Sequence, residues 1–257
     1  MKPSDSPAYL EKKRFFDSLL TVYGRKPVLE ALQDTSSQIY RLHLAKSNQP
    51  AAILDEIIRL AREKGAEILE HDRLALSRIS RNAKQDQGVA ADLVCRGYEH
   101  YSQFLERPLP TDGCFLALDG ITNPANLGMI IRSACAGKVN GILLPQAGSA
   151  KIDPLVIKAS AGTVFRAPIL RCEKLREALE KFQAKGASIC ALSSHVHQTL
   201  REFNPGSACV YVLGNETEGV SGEVTQLCDA QVRIPMNNGV ESLNVAVTAA
   251  LIAFKDS

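Results

Sequence analysis

The strongest constraint in this sequence is a set of short, mostly apolar runs in its second half, set apart by stretches with helical spacing. Phe115–Leu118, Gly141–Leu144, Ser188–Leu192 and Cys209–Leu213 are the runs. Leu127–Ala136, Lys174–Lys185 and Ser242–Lys255 carry the helical pattern between or after them. A strand without polar alternation is buried on both faces, and alternation of such strands with helices indicates a parallel sheet covered on both sides. The fold class is therefore α/β.

The stretch Arg107-Pro108-Leu109-Pro110-Thr111-Asp112-Gly113 cannot continue a helix or a central strand, so it marks a boundary. Ahead of it lies a smaller α/β pattern. Pro27–Leu32 reads as a helix, Ile39–Ala45 as a strand, and Ala51–Lys64 as an amphipathic helix with Ile53, Ile57, Ile58 and Leu60 at helical spacing. Ala66–Glu70, Leu74–Ile79 and Val89–Cys95 follow as strand, helix and strand. The expected organisation is an N-terminal helical extension over 1–20, a small α/β domain over 21–107 and the larger α/β domain over 108–257.

Charge separates the two parts. Over 257 residues, 30 Lys and Arg stand against 28 Asp and Glu, so net charge neither favours nor excludes a polyanionic partner. Residues 1–108 hold 17 basic and 15 acidic residues, and 109–257 hold 13 of each, so the whole excess lies in the first part. It is clustered: Lys12-Lys13-Arg14 is one group, and Arg73, Arg78, Arg81 and Lys84 form another beside a polar, flexible Gln85–Gly88. Nucleic-acid contacts would come from such patches.

Several classes lose support. No apolar run approaches the roughly 20 residues of a membrane span, and Met1–Ser6 leads into no signal core, so a cytoplasmic protein is expected. Seven cysteines, an odd number without a CxxC pair, argue against a disulfide framework or a thiolate zinc site and for core packing. There is no GxGxxG and no GxxxxGK[ST], which weakens a nicotinamide or P-loop enzyme. His195 and His197 have no third ligand nearby and read as loop histidines, so no metal is expected.

Three segments of the second part carry more polar detail than packing requires. In Leu118–Ala134 a buried strand ends at Asp119-Gly120-Ile121-Thr122-Asn123-Pro124-Ala125-Asn126. Asn126 is placed to cap the next helix, Met129–Ile131 pin that helix to the sheet, and Arg132 is its lone charge. In Val212–Ser221 another strand runs into Gly214-Asn215-Glu216-Thr217-Glu218-Gly219. Gly214 permits close approach of a ligand to the backbone, and Glu216 would face a pocket at the strand tips. In Ile234–Val247, Ser242 reads as the cap of the final helix, Leu243, Val247 and Leu251 as its inward stripe, and Asn244 as an amide in its first turn.

Together, in order and spacing, these segments resemble the three motifs of the SpoU (TrmH-like) RNA ribose 2′-O-methyltransferases of the SPOUT superfamily. The likeness covers about the last 145 residues. Tyr23-Gly24-Arg25-Lys26-Pro27-Val28-Leu29-Glu30-Ala31-Leu32 also resembles the opening of the RNA-binding domain often fused ahead of that catalytic domain. The resemblance implies a SPOUT-type parallel sheet with a C-terminal trefoil knot, a small α/β RNA-binding domain before it, and S-adenosyl-L-methionine (AdoMet) as cofactor. It implies a homodimer through the knotted region and RNA as partner, ribosomal RNA preferred over transfer RNA.

By matching position, Asn126, Arg132, Glu216, Ser242 and Asn244 would be catalytic. Leu213, Gly214, Ile234, Met236 and Leu243 would form the cofactor cradle. Arg25, Arg78, Arg81 and Lys84 would contact RNA. The chain departs from many relatives in placing Asn215 before the glutamate and Thr217 after it, and in Asn237-Asn238. Competing expectations are a transfer-RNA ribose methyltransferase, a non-catalytic AdoMet- and RNA-binding ribosome-assembly factor, a base-methylating SPOUT enzyme and a small-molecule α/β enzyme.

Overall fold

The computed structural model describes residues 15–16, 19–35, 37–95 and 98–255. Lys12-Lys13-Arg14 and most of the expected N-terminal extension lie outside them. The chain divides into two units, Met1–Glu99 and His100–Ser257. The division falls ahead of the proline-rich stretch, because the helix Tyr101–Phe104 before that stretch packs into the second core.

The first unit is built from β1 (Leu19–Tyr23), α1 (Arg25–Gln33), β2 (Gln38–Ala45), α2 (Ala52–Glu63), β3 (Glu67–His71), α3 (Arg73–Ser80) and β4 (Val89–Val94). Its sheet has the order β1-β4-β2-β3. β4 is antiparallel to both β1 and β2, and β3 is parallel to β2. Leu19 and Leu20 open β1 rather than closing an extension. α2 buries Leu54, Ile57 and Ala61 at helical spacing, a stripe shifted from the Ile53/Ile58 face that the sequence suggests.

A short strand, β5 (Tyr98–His100), spans the division, and the second unit continues with α4 (Tyr101–Phe104). Then come β6 (Cys114–Leu118), α5 (Pro124–Ala136), β7 (Gly141–Pro145), α6 (Pro154–Ala159), β8 (Ile169–Cys172), α7 (Leu175–Ala184), β9 (Ser188–Leu192), β10 (Cys209–Leu213), α8 (Gly222–Thr225), β11 (Ala230–Val232) and α9 (Val245–Ala253). The sheet order is β11-β9-β10-β6-β7-β8-β5. Every pairing from β11 to β8 is parallel. The four apolar runs are its central strands. β8 and β11 escape a reading by apolar runs because they are short and interrupted by Arg171 and Gln231.

Chain order runs outward from β6 to β8, then resumes at β9 and returns to β10 beside β6. That reversal makes a switch point, where open α/β sheets place ligands beyond the strand ends. One core face is organised by Phe115 and Phe182, whose rings meet edge to face at 5.1 Å. All seven cysteines are free, and four are buried. Burial pushes the Cys95 and Cys172 thiols up to about 12, so they are packing groups rather than nucleophiles. Among the described residues no helix is long and apolar enough to cross a membrane.

Candidate active site

β6 and β10 lie in register with Leu118 opposite Leu213, so the loops leaving their carboxyl ends begin as neighbours. Asp119 ties them together. Its N–H donates to the Leu213 carbonyl (2.9 Å), and its carboxylate accepts from the Ser221 N–H (2.7 Å). The loop after β10 is a tight hairpin in which Asn215 and Gly219 exchange backbone hydrogen bonds of 3.0 and 2.9 Å. The Asn215 Oδ1 accepts from the N–H groups of Thr217 and Glu218 at 2.9 and 3.3 Å, and its Nδ2 donates to the Gly120 carbonyl at 3.0 Å. One asparagine thus closes its own turn and joins it to the loop after β6. Asp119, Gly120 and Asn215 were not among the expected site residues; the Asp-Gly pair directly after a strand was their signal.

Gly214 is needed by the turn itself. A Cβ there would run into the backbone of Gly219 and Val220, so the hairpin's own return strand excludes a side chain. Gly219, at φ +72°, completes the turn.

One polar residue from each of the second and third motifs, Glu216 and Asn244, meets Asn126 of the first. The cap of α5 is Asn123, whose Oδ1 accepts from the Ala125 N–H at 2.9 Å, with Pro124 at the first helical position. Asn126 lies inside the first turn, only 6 % exposed, and its amide is used at both ends. Nδ2 donates to Glu216 Oε1, and Oδ1 accepts from Asn244 Nδ2 at 3.1 Å. Asn244, not Ser242, caps the last helix, its Oδ1 accepting from the Ala246 N–H at 2.8 Å. The amide orientations follow from this network, since only a donor suits the carboxylate. Glu216 is exposed rather than enclosed.

Ser242 and Arg132 stand outside this chain of bonds. Both are exposed, and among the described residues neither has a hydrogen-bond or ion-pair partner. Arg132 follows Asn126 by six helical residues, about 9 Å of rise and some 240° of rotation, on another face of α5. That face carries Met129, which is 40 % exposed rather than packed on the sheet. Ile130 and Ile131 do the pinning.

The expected inward stripe of α9 also points outward. Leu243, Val247 and Leu251 are 36 %, 48 % and 44 % exposed, and Val240 and Phe254 are exposed as well. The helix instead buries Val245, Ala246, Ala249, Ile252 and Ala253, and the three alanines allow it to lie close on α5. A Cβ at Gly137 would strike the backbone of Ala253.

Leu213 is buried, Gly214, Ile234 and Met236 are half-buried, and Leu243 is exposed. Within 234–243 the backbone hydrogen bond among described residues is Val240 N–H to the Asn237 carbonyl, 3.2 Å. Ile234 and Met236, half-buried, and the exposed Leu243 set apolar side chains along this segment. His195 and His197 are exposed, and no group of three or more His, Cys, Asp or Glu among the described residues could hold a metal.

In the first unit, Arg78, Arg81 and Lys84 are exposed and unpartnered among the described residues. Arg73 is not available in the same way. Its Nη1 meets the carboxylate of Asp86 at 2.8 Å, and its Nη2 donates to the Ala83 carbonyl at 2.9 Å. Asp86 is 0 % exposed and also accepts from Ser80 Oγ and the Gly88 N–H, both at 2.9 Å. The loop expected to be flexible is therefore wrapped around a buried carboxylate. Gln87 extends the arrangement, its Oε1 and backbone carbonyl accepting from Arg25 N–H (3.0 Å) and Arg25 Nε (3.4 Å).

The profile of the SpoU rRNA Methylase family matches residues 113–254, more than half of the chain. This protein belongs to the SpoU family. A second profile, described as RNA 2′-O ribose methyltransferase substrate binding, matches residues 21–98. Among the relatives of this SpoU protein, an uncharacterised tRNA/rRNA methyltransferase of Mycolicibacterium vanbaalenii is 34 % identical over 92 % of this chain and 75 % of its own. Another from Mycobacterium avium is 34 % identical over 98 % of this chain and 81 % of its own. The AdoMet-bound rRNA methyltransferase from Sinorhizobium meliloti superposes with a TM-score of 0.65 at 25 % identity, over 95 % of this chain and 89 % of that one. The SpoU methyltransferase AviRb from Streptomyces viridochromogenes, in complex with AdoMet, shares the fold with a TM-score of 0.64 at 24 % identity, over 95 % and 91 %. The SPOUT fold of the second unit follows.

Proposed function

We propose that this SpoU protein is an AdoMet-dependent methyltransferase that acts on a ribose 2′-hydroxyl of RNA, ribosomal RNA being favoured over transfer RNA. The hydrogen-bonded line Glu216–Asn126–Asn244 carries this reading, because it joins one residue from each of three distant motifs at the strand tips. The match of residues 21–98 to a ribose-methyltransferase substrate-binding domain supports the ribose. The ribosomal preference draws on the family description and on the Sinorhizobium relative. We assign residues 21–107 to RNA binding and 108–257 to catalysis, in the cytoplasm.

The turns of Leu213–Gly214, Ile234–Met236 and Leu243 fit AdoMet, since they offer apolar side chains at the strand tips, and the backbone of residues 234–236 and 243 makes no backbone–backbone hydrogen bond among the described residues. When bound, the sulfonium supplies an activated methyl group. The chain's own work is alignment and proton management. Glu216 fixes the donor face of the Asn126 amide, and Asn126 in turn fixes Asn244. Asn244 and Ser242 orient the ribose. The Arg132 guanidinium holds phosphate and steadies negative charge developing on the hydroxyl oxygen, and the proton leaves to phosphate or water.

A homodimer explains the exposed apolar residues. Met129 and Arg132 share one face of α5, and Val247, Leu251 and Phe254 line the exposed side of the helix packed on it. In such a dimer Arg132, which meets no site residue of its own copy, would serve the second copy's Asn126 cluster. We also read the C-terminus as knotted. The Lys255 ammonium donates to the Phe203 carbonyl (2.7 Å) and Arg233 pairs with the backbone of Gln198 and Leu200, so the last segment engages the long connection between β9 and β10.

One experiment tests the whole reading. Labelled AdoMet is incubated with ribosomal and transfer RNA, and the digest is resolved into nucleosides. Label is expected in 2′-O-methylated nucleosides; label in base-methylated nucleosides alone would overturn it. Arg132→Ala and Glu216→Ala are each expected to lower turnover at least 100-fold. Coexpressed, they should recover activity, because a mixed dimer rebuilds one complete site.

A further inference from the structure

Strand β2 contains a bulge. Ile39 pairs with Leu93 and Arg41 with Asp92, which leaves Tyr40 as an extra residue with no partner across β4. A bulge turns consecutive side chains out of strict alternation. Tyr40 and Arg41 are accordingly both half-buried at one surface.

Phe15 and Phe16, 38 % and 40 % exposed, stand edge-on to Tyr40 with ring centroids 4.9 and 6.3 Å away. The Arg41 guanidinium lies 4.7 Å from the Tyr40 ring centre and 5.9 Å from that of Phe16. Glu67, opposite Arg41 in β3, holds the guanidinium through Nε at 2.7 Å. Packing alone does not call for this arrangement. Two exposed phenylalanines, a phenol and an oriented planar cation meet where the strand has been bent to present them.

We propose that Phe15, Phe16, Tyr40 and Arg41 form a stacking platform for unpaired nucleobases of the RNA substrate, separate from the basic group at Arg78, Arg81 and Lys84. The proposal rests on the reading of this chain as an RNA-binding enzyme. Aromatic faces and arginine planes are the groups on which splayed, single-stranded bases stack. Charge agrees: Lys12-Lys13-Arg14 directly precedes Phe15 in the sequence, and the carboxylate of the cluster, Glu67, is already matched to Arg41. Stacking is tolerant of base identity, so the platform selects an unpaired region rather than a sequence.

The test uses the full chain and two RNA probes of equal length, one single-stranded with an internal 2-aminopurine and one fully duplex. The variants are Phe16→Leu, Tyr40→Leu and Arg41→Lys; the first two keep an apolar side chain, and the third keeps the charge while removing the planar cation. Each variant should bind the single strand about tenfold more weakly, as loss of one stacked base predicts. Duplex affinity, the salt dependence of binding and thermal stability should stay at wild-type values, and the 2-aminopurine quench should weaken. Wild-type binding with unchanged single-strand affinity in all three variants overturns the platform alone. An equal loss on duplex and single strand also overturns it, since stacking on a free base cannot produce that pattern. A wild-type chain that binds neither probe overturns the functional reading along with it.

Discussion

The two units of this SpoU protein hold their functional loops in different ways. The first unit uses buried polar groups: Ser37, His43, Ser80 and Asp86 are all nearly inaccessible, and Asp86 alone gathers Arg73, Ser80 and Gly88. The second unit adds close approach to backbone to the one buried amide of its site, Asn126. A Cβ at Gly128 would fall 2.5 Å from that of Ala159, one at Gly141 would fall 2.6 Å from Leu170, and Gly137 and Gly214 are tighter still against neighbouring backbone. A surface that meets a long polyanion needs its cations aimed, and a buried carboxylate does that without exposing a competing charge. A site for in-line transfer needs loops fixed to a fraction of an ångström, and main chain against main chain leaves the least freedom.

The sharpest way to break this contrast is to disturb one support in each unit. Gly214→Ala should act hardest. Its methyl group forces the Asn215–Gly219 hairpin away from β10 and moves Glu216 off Asn126. Turnover is expected to fall about 100-fold or more, the scale of a 1 Å misplacement, while RNA affinity stays within twofold. Steady-state kinetics and RNA titration separate the two. Wild-type turnover would show that backbone proximity at this turn does not set the site.

Asp86→Ala should show the opposite division. It leaves the Ser80 hydroxyl and the Gly88 N–H without their acceptor and frees Arg73. The expected loss is about 2–3 kcal/mol in urea unfolding, together with weaker RNA binding and a near-normal kcat at saturating RNA. A matching drop in kcat would mean that the loop serves catalysis as well.

The smallest effect concerns pH and again belongs to the first unit. His43, buried, bridges His71 (Nδ1 to Nε2, 2.9 Å) and Asp92 (Nε2 to Oδ2, 3.0 Å), and Thr21 donates to Asp92 at 2.6 Å. Burial, and then the nearby His43, hold the His71 pKa below the ordinary 6.5. Burial pushes the Asp92 carboxyl up, but the bonds from His43 and Thr21 outweigh it and leave it below 3.8. A histidine with a depressed folded pKa binds its proton more readily when unfolded. Its stabilisation is therefore complete above about pH 6.5 and declines as pH falls toward the folded value. The Asp92 contribution persists through that range and is lost only under stronger acid. Hydrogen exchange from pH 8 to 5 should show β2 and β4 losing protection before β6 and β10. Parallel loss in both sheets would remove the histidine pair as the cause.

Much of this was legible in the chain. The four apolar runs are central strands because a strand buried on both faces must be apolar throughout, and that composition needs no neighbour to be recognised. The first two motifs were visible because their loops directly follow two of those strands, and the third because its polar residues open the last helical stretch. The caps lie two or three residues from those the pattern suggests, Asn123 in place of Asn126 and Asn244 in place of Ser242, since several residues near each helix start can cap and only the backbone angles choose among them. The platform at Tyr40 could not be read, because a bulge is a property of pairing with β4 and leaves no local signature.

By itself, the sequence determined the α/β class, the order of the strands along the chain and the identity of the polar residues, all properties of local pattern. Tertiary structure decided which faces those residues present. α9 turns Val247 and Leu251 outward because its small residues must lie on α5, and packing against a neighbouring helix outweighs the hydrophobicity of an individual side chain. It also decided that Asn126, Glu216 and Asn244 meet while Arg132 stands apart, since contacts between residues 90 and 118 positions distant exist only once the sheet has brought its strand ends together.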